Sequence, residues 1–216
     1  MNLAIPPAAF LAALLWSASN ALGETAGSAV AAQVWSYRLN ATMNVLPSEP
    51  DYLQPTLSAD RGALHLEGRY NYEDRESASA FVGWNYETDT ETKLRLALTP
   101  MFGAVVGKTH GAIPALELTL GVSRLELYSE SEYVLDARDS NDSFFYHWSE
   151  LAFSATDFVS AGLVIQRSRL IHNSREIQSG PMVRLTRGPW EGAAYFFNPG
   201  SEEHYFVGSI ALIFPF

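Results

Sequence analysis

The sequence predicts an all-β fold, an antiparallel up-and-down barrel that crosses a membrane, and three observations support this prediction. Apolar and polar side chains alternate along most of the 216-residue chain, and alternation at every second residue is typical of strands. Short turn-forming segments separate these stretches at the spacing of hairpins. Aromatic side chains cluster towards the ends of the predicted strands, where a spanning strand meets the lipid–water interface.

Ten strands are predicted, and eight or twelve would also fit a chain of this length. Two stretches are interpreted as irregular: 47–60, which holds three prolines, and 126–142, which is acidic and turn-rich. After Ser123 the alternation changes phase, which predicts a β-bulge. The predicted strands are 34–46, 61–72, 77–87, 93–106, 116–123, 144–154, 158–171, 178–186, 190–198 and 204–216.

The connections between these strands alternate in length, as they do in outer-membrane barrels. If the N-terminus is periplasmic, an even number of strands returns the C-terminus to the same side. The alternative is a soluble periplasmic β-sandwich or lipid-binding protein, whose core would spread large rings through the middle of its strands. The predicted outer connections are 47–60, 88–91, 129–142, 172–177 and 198–203, and the shorter periplasmic ones are 73–76, 107–111, 156–157 and 187–189.

The first residues have the composition of a secretory signal peptide. They are apolar, carry no charged side chain before Glu24, and reach small residues at Ala21-Leu-Gly23. They lack the Lys or Arg that such peptides usually carry near the start. We therefore predict a cleaved signal peptide over 1–23 and a single barrel domain over 24–216.

The last strand ends on aromatic residues, which is rare at the frayed terminus of a soluble protein. Its pattern resembles the C-terminal assembly signal of outer-membrane barrels, with Ser209, Ala211, Phe214 and Phe216 at the signal positions. Pro215 departs from that pattern and removes one backbone donor. We expect this strand to pair with 34–46 and close the barrel.

The signal peptide, the hairpin rhythm and the aromatic terminus together resemble the small outer-membrane β-barrel proteins of Gram-negative bacteria. The resemblance extends over the whole mature chain but identifies a class and no family within it. It implies an outer-membrane location, contact with outer-membrane lipid and lipopolysaccharide, and assembly by the barrel assembly machinery through the C-terminal strand. The net charge of −10 excludes a nucleic-acid partner, and the absence of cysteine excludes disulfides and thiolate chemistry. No metal or cofactor is predicted.

Charged residues on the polar faces of the strands predict a charged lumen. In a low dielectric these side chains must pair, so we expect a ladder of Arg–Glu contacts that either packs the interior or lines a narrow solute path. The surplus of basic residues in this set would favour small anions. The set is Arg38, His65, Glu67, Arg69, Lys93, Arg95, Glu117, Arg184 and Glu191.

One pair of residues has the spacing of a catalytic dyad. His147 and Ser149 lie on the same face of a strand, and a nucleophilic serine needs a base within hydrogen-bond reach. The pair resembles the His-x-Ser of the outer-membrane lipid A deacylases, where an asparagine follows; Glu150 stands here instead. A lipid-modifying hydrolase is therefore an alternative function.

The main expectation is a non-enzymatic, porin-like barrel with a structural or narrow-pore role. The acidic stretch 126–142 is interpreted as a solvated loop, because its spacing matches no calcium-binding loop.

Overall fold

The computed structural model describes residues 34–47, 49–88, 94–168 and 177–215. The predicted signal peptide, Lys93 and Phe216 lie outside the described residues. Apart from one short 3₁₀ turn at Ser140–Asp142, the regular structure of the described residues is all strand. The strands are β1 (Ser36–Val45), β2 (Tyr52–Arg61), β3 (Leu64–Tyr70), β4 (Ser77–Trp84), β5 (Tyr86–Glu87), β6 (Leu94–Gly107), β7 (Gly111–Val122), β8 (Leu125–Asp136), β9 (Phe144–Ser154), β10 (Val159–Arg167), β11 (Gln178–Arg187), β12 (Trp190–Phe197) and β13 (Tyr205–Pro215).

Twelve of these strands form a closed antiparallel barrel in which each pairs with its sequence neighbours. β4 pairs with β6, and the two-residue β5 continues β4 against β6 in the same register. The barrel closes where β1 pairs with β13, from Ser36 opposite Pro215 to Val45 opposite Phe206. The predicted fold class and closing pair are confirmed, while the estimate of ten strands is two too few.

The first missing strand is β2, which lies within the stretch interpreted as a proline-rich loop. Pro55 occupies a strand position opposite Ala41 of β1. The ladder with β3 begins at Thr56, one residue further on, so Pro55 lies just beyond the end of that ladder. A proline is tolerated where a strand loses one of its two neighbours, and the prediction of a loop was therefore wrong over 52–60.

The second missing strand is β8, which lies within the acidic stretch interpreted as a solvated loop. Ser123 adopts a φ of 55° in a two-residue turn between the paired residues Val122 and Leu125. The change of phase after Ser123 is therefore a hairpin and not a bulge. The acidic residues at 126, 130 and 132 belong to a strand that runs through the barrel wall.

The two ends of the barrel differ in their connections. At one end, here called the turn end, lie Ser36, Pro215 and the connections at 62–63, 123–124, 155–158 and 188–189. At the other, the loop end, lie the connections at 71–76, 108–110, 137–143 and 198–204, three of which are longer than any of these. Because β2 was missed, the predicted sides of 73–76 and 107–111 were inverted, and β8 restores the phase from 137 onwards. The predicted connections over 89–91 and 172–176 lie outside the described residues.

The outer surface of the barrel is apolar. Large hydrophobic side chains are exposed on strand after strand, including Leu39, Val82, Leu163 and Ile210. Aromatic rings gather at both ends: Tyr37 stacks on Phe214 at 5.6 Å at the turn end, whereas Phe196 stacks on Phe206 at 4.5 Å near the loop end. An apolar band between aromatic girdles is the surface of a barrel that crosses a bilayer.

None of the helical segments among the described residues is long and apolar enough to cross a membrane.

Two apolar clusters fill much of the barrel interior. One joins β2 to the wall from β9 to β13 and contains Phe197 and Tyr205 among its buried residues. The other joins β4 to β6, β7 and β8, and contains Phe81 and Ile113. Both include fully buried side chains at the loop end, so that end of the barrel is packed.

Candidate functional site: a charged cavity in the barrel

A cavity of about 630 Å³ occupies the rest of the barrel interior. Its wall includes Gly62 and Glu87, both exposed residues at the turn end. The buried loop-end residues Phe197, Tyr205 and Ile113 are not part of the wall. The cavity therefore opens towards the turn end and is closed towards the loop end.

A chain of ion pairs crosses the cavity near its mouth. Glu126 of β8 accepts hydrogen bonds from Arg95 of β6 and from Arg184 of β11, the latter at 3.0 Å. Arg184 also donates to Glu150 of β9. These contacts join strands that are not neighbours in the sheet, from β6 to β11, and tie this part of the mouth together.

Glu150 is the acceptor for three different side chains. Besides Arg184, the indole of Trp148 and the hydroxyl of Tyr195 each donate to it at 2.8 Å. With three donors, the buried Glu150 carboxylate is held in one position.

A separate ion pair joins Arg38 of β1 to Glu191 of β12 at 2.6 Å.

The deepest charge in the barrel is Arg69, whose side chain is 1% exposed. It donates to Glu67 and to Glu132, and it lies 2.8 Å from Glu130 and 3.7 Å from Glu73. We call Arg69 with these four carboxylates the Arg69 cluster. It stands between the cavity and the packed loop end.

Aromatic rings surround the Arg69 guanidinium. Its central carbon lies 4.3 Å from the ring centre of Tyr72 and 4.5 Å from that of Phe81. The hydroxyl of Tyr72 donates to Glu130 at 2.7 Å. Cation–π contacts of this kind stabilise a desolvated guanidinium.

The connection 71–76 folds against the loop end of the barrel. Ser79 donates to the Glu73 carboxylate at 2.7 Å, and Thr109 donates to Asp74 at 2.8 Å. Burial raises the pKa of Glu73 above its usual range, while Arg69 and the Ser79 hydrogen bond oppose that change. The connection thus contributes one carboxylate to the Arg69 cluster.

The predicted lumen residues that fall within the described part of the chain all lie on the inner face of the wall or at its mouth. The structure brings Arg38 to Glu191 and Arg69 to Glu67. His65 is hydrogen-bonded through Nδ1 to Asp60 at 2.8 Å, and Tyr128 donates to Glu117 at 3.2 Å.

Apart from Glu67, the carboxylates that hold Arg95, Arg184 and Arg69 were missed by sequence reasoning. Glu126, Glu130 and Glu132 were assigned to a solvated loop, and Glu150 was noted only as the residue that follows the His147–Ser149 pair. A signal was present, since acidic or aromatic residues occupy every second position from 126 to 132, with Leu127, Ser129 and Ser131 between them. The expected surplus of basic residues in the lumen was therefore wrong.

The His147–Ser149 pair lies on the outer face of the wall. Ser149 Oγ is 2.9 Å from His147 Nε2, and Ser131 Oγ is 2.9 Å from His147 Nδ1. Glu150 points into the lumen towards Arg184, so the group that orients the imidazole is a neutral hydroxyl. The carboxylate that usually completes such a triad is absent from the contacts of these described residues.

The fold has counterparts among solved structures. No family model and no curated protein matches the chain. The chain is similar to KdgM porin, with a TM-score of 0.51 and 11% identity over 84% of this chain and 99% of that one. KdgM porin in complex with disordered oligogalacturonate gives the same score and identity over 82% and 98%. The translocator domain of the autotransporter NalP from Neisseria meningitidis scores 0.32, at 12% identity over 96% and 95%. The likeness to KdgM porin shows the fold alone, which in this chain is a closed antiparallel β-barrel of twelve strands.

Proposed function

We propose that this protein is a non-enzymatic, porin-like barrel of the outer membrane that gives restricted passage to small solutes. The observation that carries the proposal is the charged cavity of about 630 Å³ inside a closed barrel whose outer face is apolar. A barrel packed for structure alone would fill this space with side chains. The ion pairs at the mouth keep polar groups in contact with the cavity.

The closed loop end limits how much can pass. A solute that enters from the turn end meets the Arg69 cluster and then the apolar layer formed by residues such as Phe197 and Tyr205. Passage therefore requires these groups to move apart, and we expect a small conductance with long closed periods. A purely structural barrel is the second candidate, because the packed loop end would serve that role equally well.

Planar lipid bilayers distinguish these two candidates. We expect the purified protein to give small, discrete current steps, since only a narrow path leads past the Arg69 cluster. The matched control is the same protein after boiling, which unfolds the barrel. Silence of the folded protein over a wide voltage range would contradict the porin-like function and leave the structural role.

The oligogalacturonate bound in the KdgM porin complex does not suit this lumen. Oligogalacturonate is a chain of acidic sugars, and the cavity wall here carries carboxylates such as Glu117, Glu126 and Glu150. Like charges at short range repel in a low dielectric. The proposed solute is therefore of a different charge class from that ligand.

Export and assembly of the chain are proposed on the grounds of its two ends. The apolar stretch 1–23 would direct export and be cleaved, and the C-terminal strand would contact the barrel assembly machinery before the barrel meets outer-membrane lipid and lipopolysaccharide. Support for the second step comes from β13, which closes the barrel against β1. The mass of the mature protein's N-terminal peptide would test the cleavage.

Deletion of Phe216 tests the assembly signal. We expect less of the shortened protein in the outer membrane, because the signal would lose its terminal aromatic residue. The folded fraction is measured in isolated outer membranes by gel mobility before and after boiling. Deletion of a residue from an exposed connection, Glu202, is the control, and equal levels of the two variants would refute the proposed signal.

A further inference from the structure

The wall of the cavity carries many more acidic than basic groups. Three guanidinium groups line it, those of Arg38, Arg69 and Arg184. Eight carboxylates face them: Asp60, Glu67, Glu87, Glu117, Glu126, Glu130, Glu150 and Glu191. Arg95 contacts Glu126 at the mouth and does not remove the imbalance.

The basic groups are all engaged by some of these carboxylates. Arg38 pairs with Glu191, Arg184 with Glu126 and Glu150, and Arg69 with its own cluster. Glu117 forms no ion pair with any described residue and receives one hydrogen bond, from Tyr128 at 3.2 Å. A carboxylate left this way in a partly desolvated cavity favours a cation beside it.

Two buried polar atoms in the same wall also lack hydrogen-bond partners. His65 Nδ1 lies 2.8 Å from an Asp60 oxygen, and its buried Nε2 lies 3.8 Å from a Glu67 oxygen without forming a hydrogen bond. Thr56 Oγ1 is buried without a partner as well. His65 and Glu67 both lie close enough to Glu117 to interact with it electrostatically. The Glu67 and Glu117 carboxylates accept hydrogen bonds, and the Thr56 hydroxyl can accept one, so a ligand with several N–H donors suits this space.

Aromatic rings complete the wall around this space. The cavity is lined by Tyr72, Tyr128, Tyr146, Trp148 and Tyr195. The face of an aromatic ring attracts cations and offers nothing to anions. The excess of carboxylates, the carboxylate and hydroxyl acceptors and the faces of the aromatic rings therefore all favour a cationic solute.

We propose that the cavity selects small cations, and organic ammonium ions in particular, which it holds beside Glu117 between β3, β7 and β8. This inference rests on the proposed porin-like function for passage, whereas the binding step is independent of it. An ammonium group would donate hydrogen bonds to the Glu117 carboxylate.

Reversal potentials in a tenfold KCl gradient measure selectivity. We expect a sign that corresponds to K⁺ passing in preference to Cl⁻, and a smaller potential for Glu117→Gln. Glu202→Gln, in an exposed connection at the loop end, is the matched control and should leave the potential unchanged. A potential of the opposite sign would overturn the cation preference while supporting a pore.

Binding is measured separately, so that a silent bilayer still leaves the inference testable. Isothermal titration calorimetry of the folded protein in detergent should detect spermidine and should not detect citrate. We expect Glu117→Gln to weaken spermidine binding about tenfold, the loss of one charge-assisted hydrogen bond, with Glu202→Gln unchanged. The inference would be overturned if the protein did not bind spermidine, or if Glu117→Gln bound it as tightly as Glu202→Gln does, whatever conductance is measured.

Discussion

Replacement of Arg69 by methionine is expected to destabilise the folded barrel strongly. The side chain is 1% exposed and is the cation common to Glu67, Glu73, Glu130 and Glu132. Methionine fills a similar volume but leaves these carboxylates buried without a counter-charge. Removal of one partner from a buried ion pair costs about 3–5 kcal/mol. The urea midpoint of the folded band on unboiled gels measures the loss.

Two variants separate this effect from a general loss of charge. Arg95→Met removes an arginine whose side chain is 62% exposed, and Glu126 keeps its contact with Arg184, so we expect little change in stability. Addition of Glu130→Gln and Glu132→Gln to Arg69→Met removes two of the unpaired charges and should recover part of the stability. If the triple variant were as unstable as the single one, the charge of the cluster would not be the cause.

Replacement of Ile210 by arginine is expected to destabilise the barrel in a membrane-dependent way. Ile210 lies at the middle of β13, its side chain is 55% exposed, and it faces outward opposite Ala41 and Gly192. An arginine at the bilayer midplane on the lipid face of a barrel costs about 2–4 kcal/mol. Equilibrium unfolding in lipid vesicles measures this cost directly.

The effect of Ile210→Arg in lipid vesicles distinguishes a lipid-facing surface from a water-facing one. On the surface of a soluble β-sandwich the same substitution would be nearly neutral, and Glu202→Arg, in an exposed connection, should be neutral in vesicles too. A small effect of Ile210→Arg in vesicles would mean that the outer face does not contact lipid. We expect the cost to shrink when Ile210→Arg is moved from vesicles to detergent micelles that admit water near β13.

The strands with unbroken alternation could be predicted from the sequence. β1 was predicted over 34–46 and forms Ser36–Val45, because apolar and polar side chains alternate along it from Tyr37 to Val45. β2 was missed because a proline usually predicts a loop. Pro55 is tolerated in β2 because it pairs with β1 but lies beyond the end of the ladder with β3. That pairing cannot be predicted from a single sequence. β8 was missed for a different reason, because acidic residues such as Glu126 and Glu130 indicate a solvated loop unless the arginines that they contact across the lumen are known.

The candidate site shows the same boundary between local and non-local information. Alternation places Arg69, Arg184 and Glu117 on the polar face of their strands, which is a local property. Which carboxylate each arginine contacts depends on register and on strands that face each other across the lumen. Arg184 of β11 contacts Glu126 of β8, and no pattern of residue spacing along the chain predicts that contact.

The interface between β1 and β13, here called the seam, is expected to form in the slowest step of folding. Eleven of the twelve interfaces around the barrel join strands that follow one another in sequence, and each hairpin can form as soon as its residues are available. The seam brings the two ends of the chain together and bears most of the loop-closure entropy. Until it forms, the first and last strands each present an unpaired edge. Closure of the barrel is therefore a single event late in folding. Conditions that hold the two chain ends near each other would accelerate closure more than any change within a hairpin.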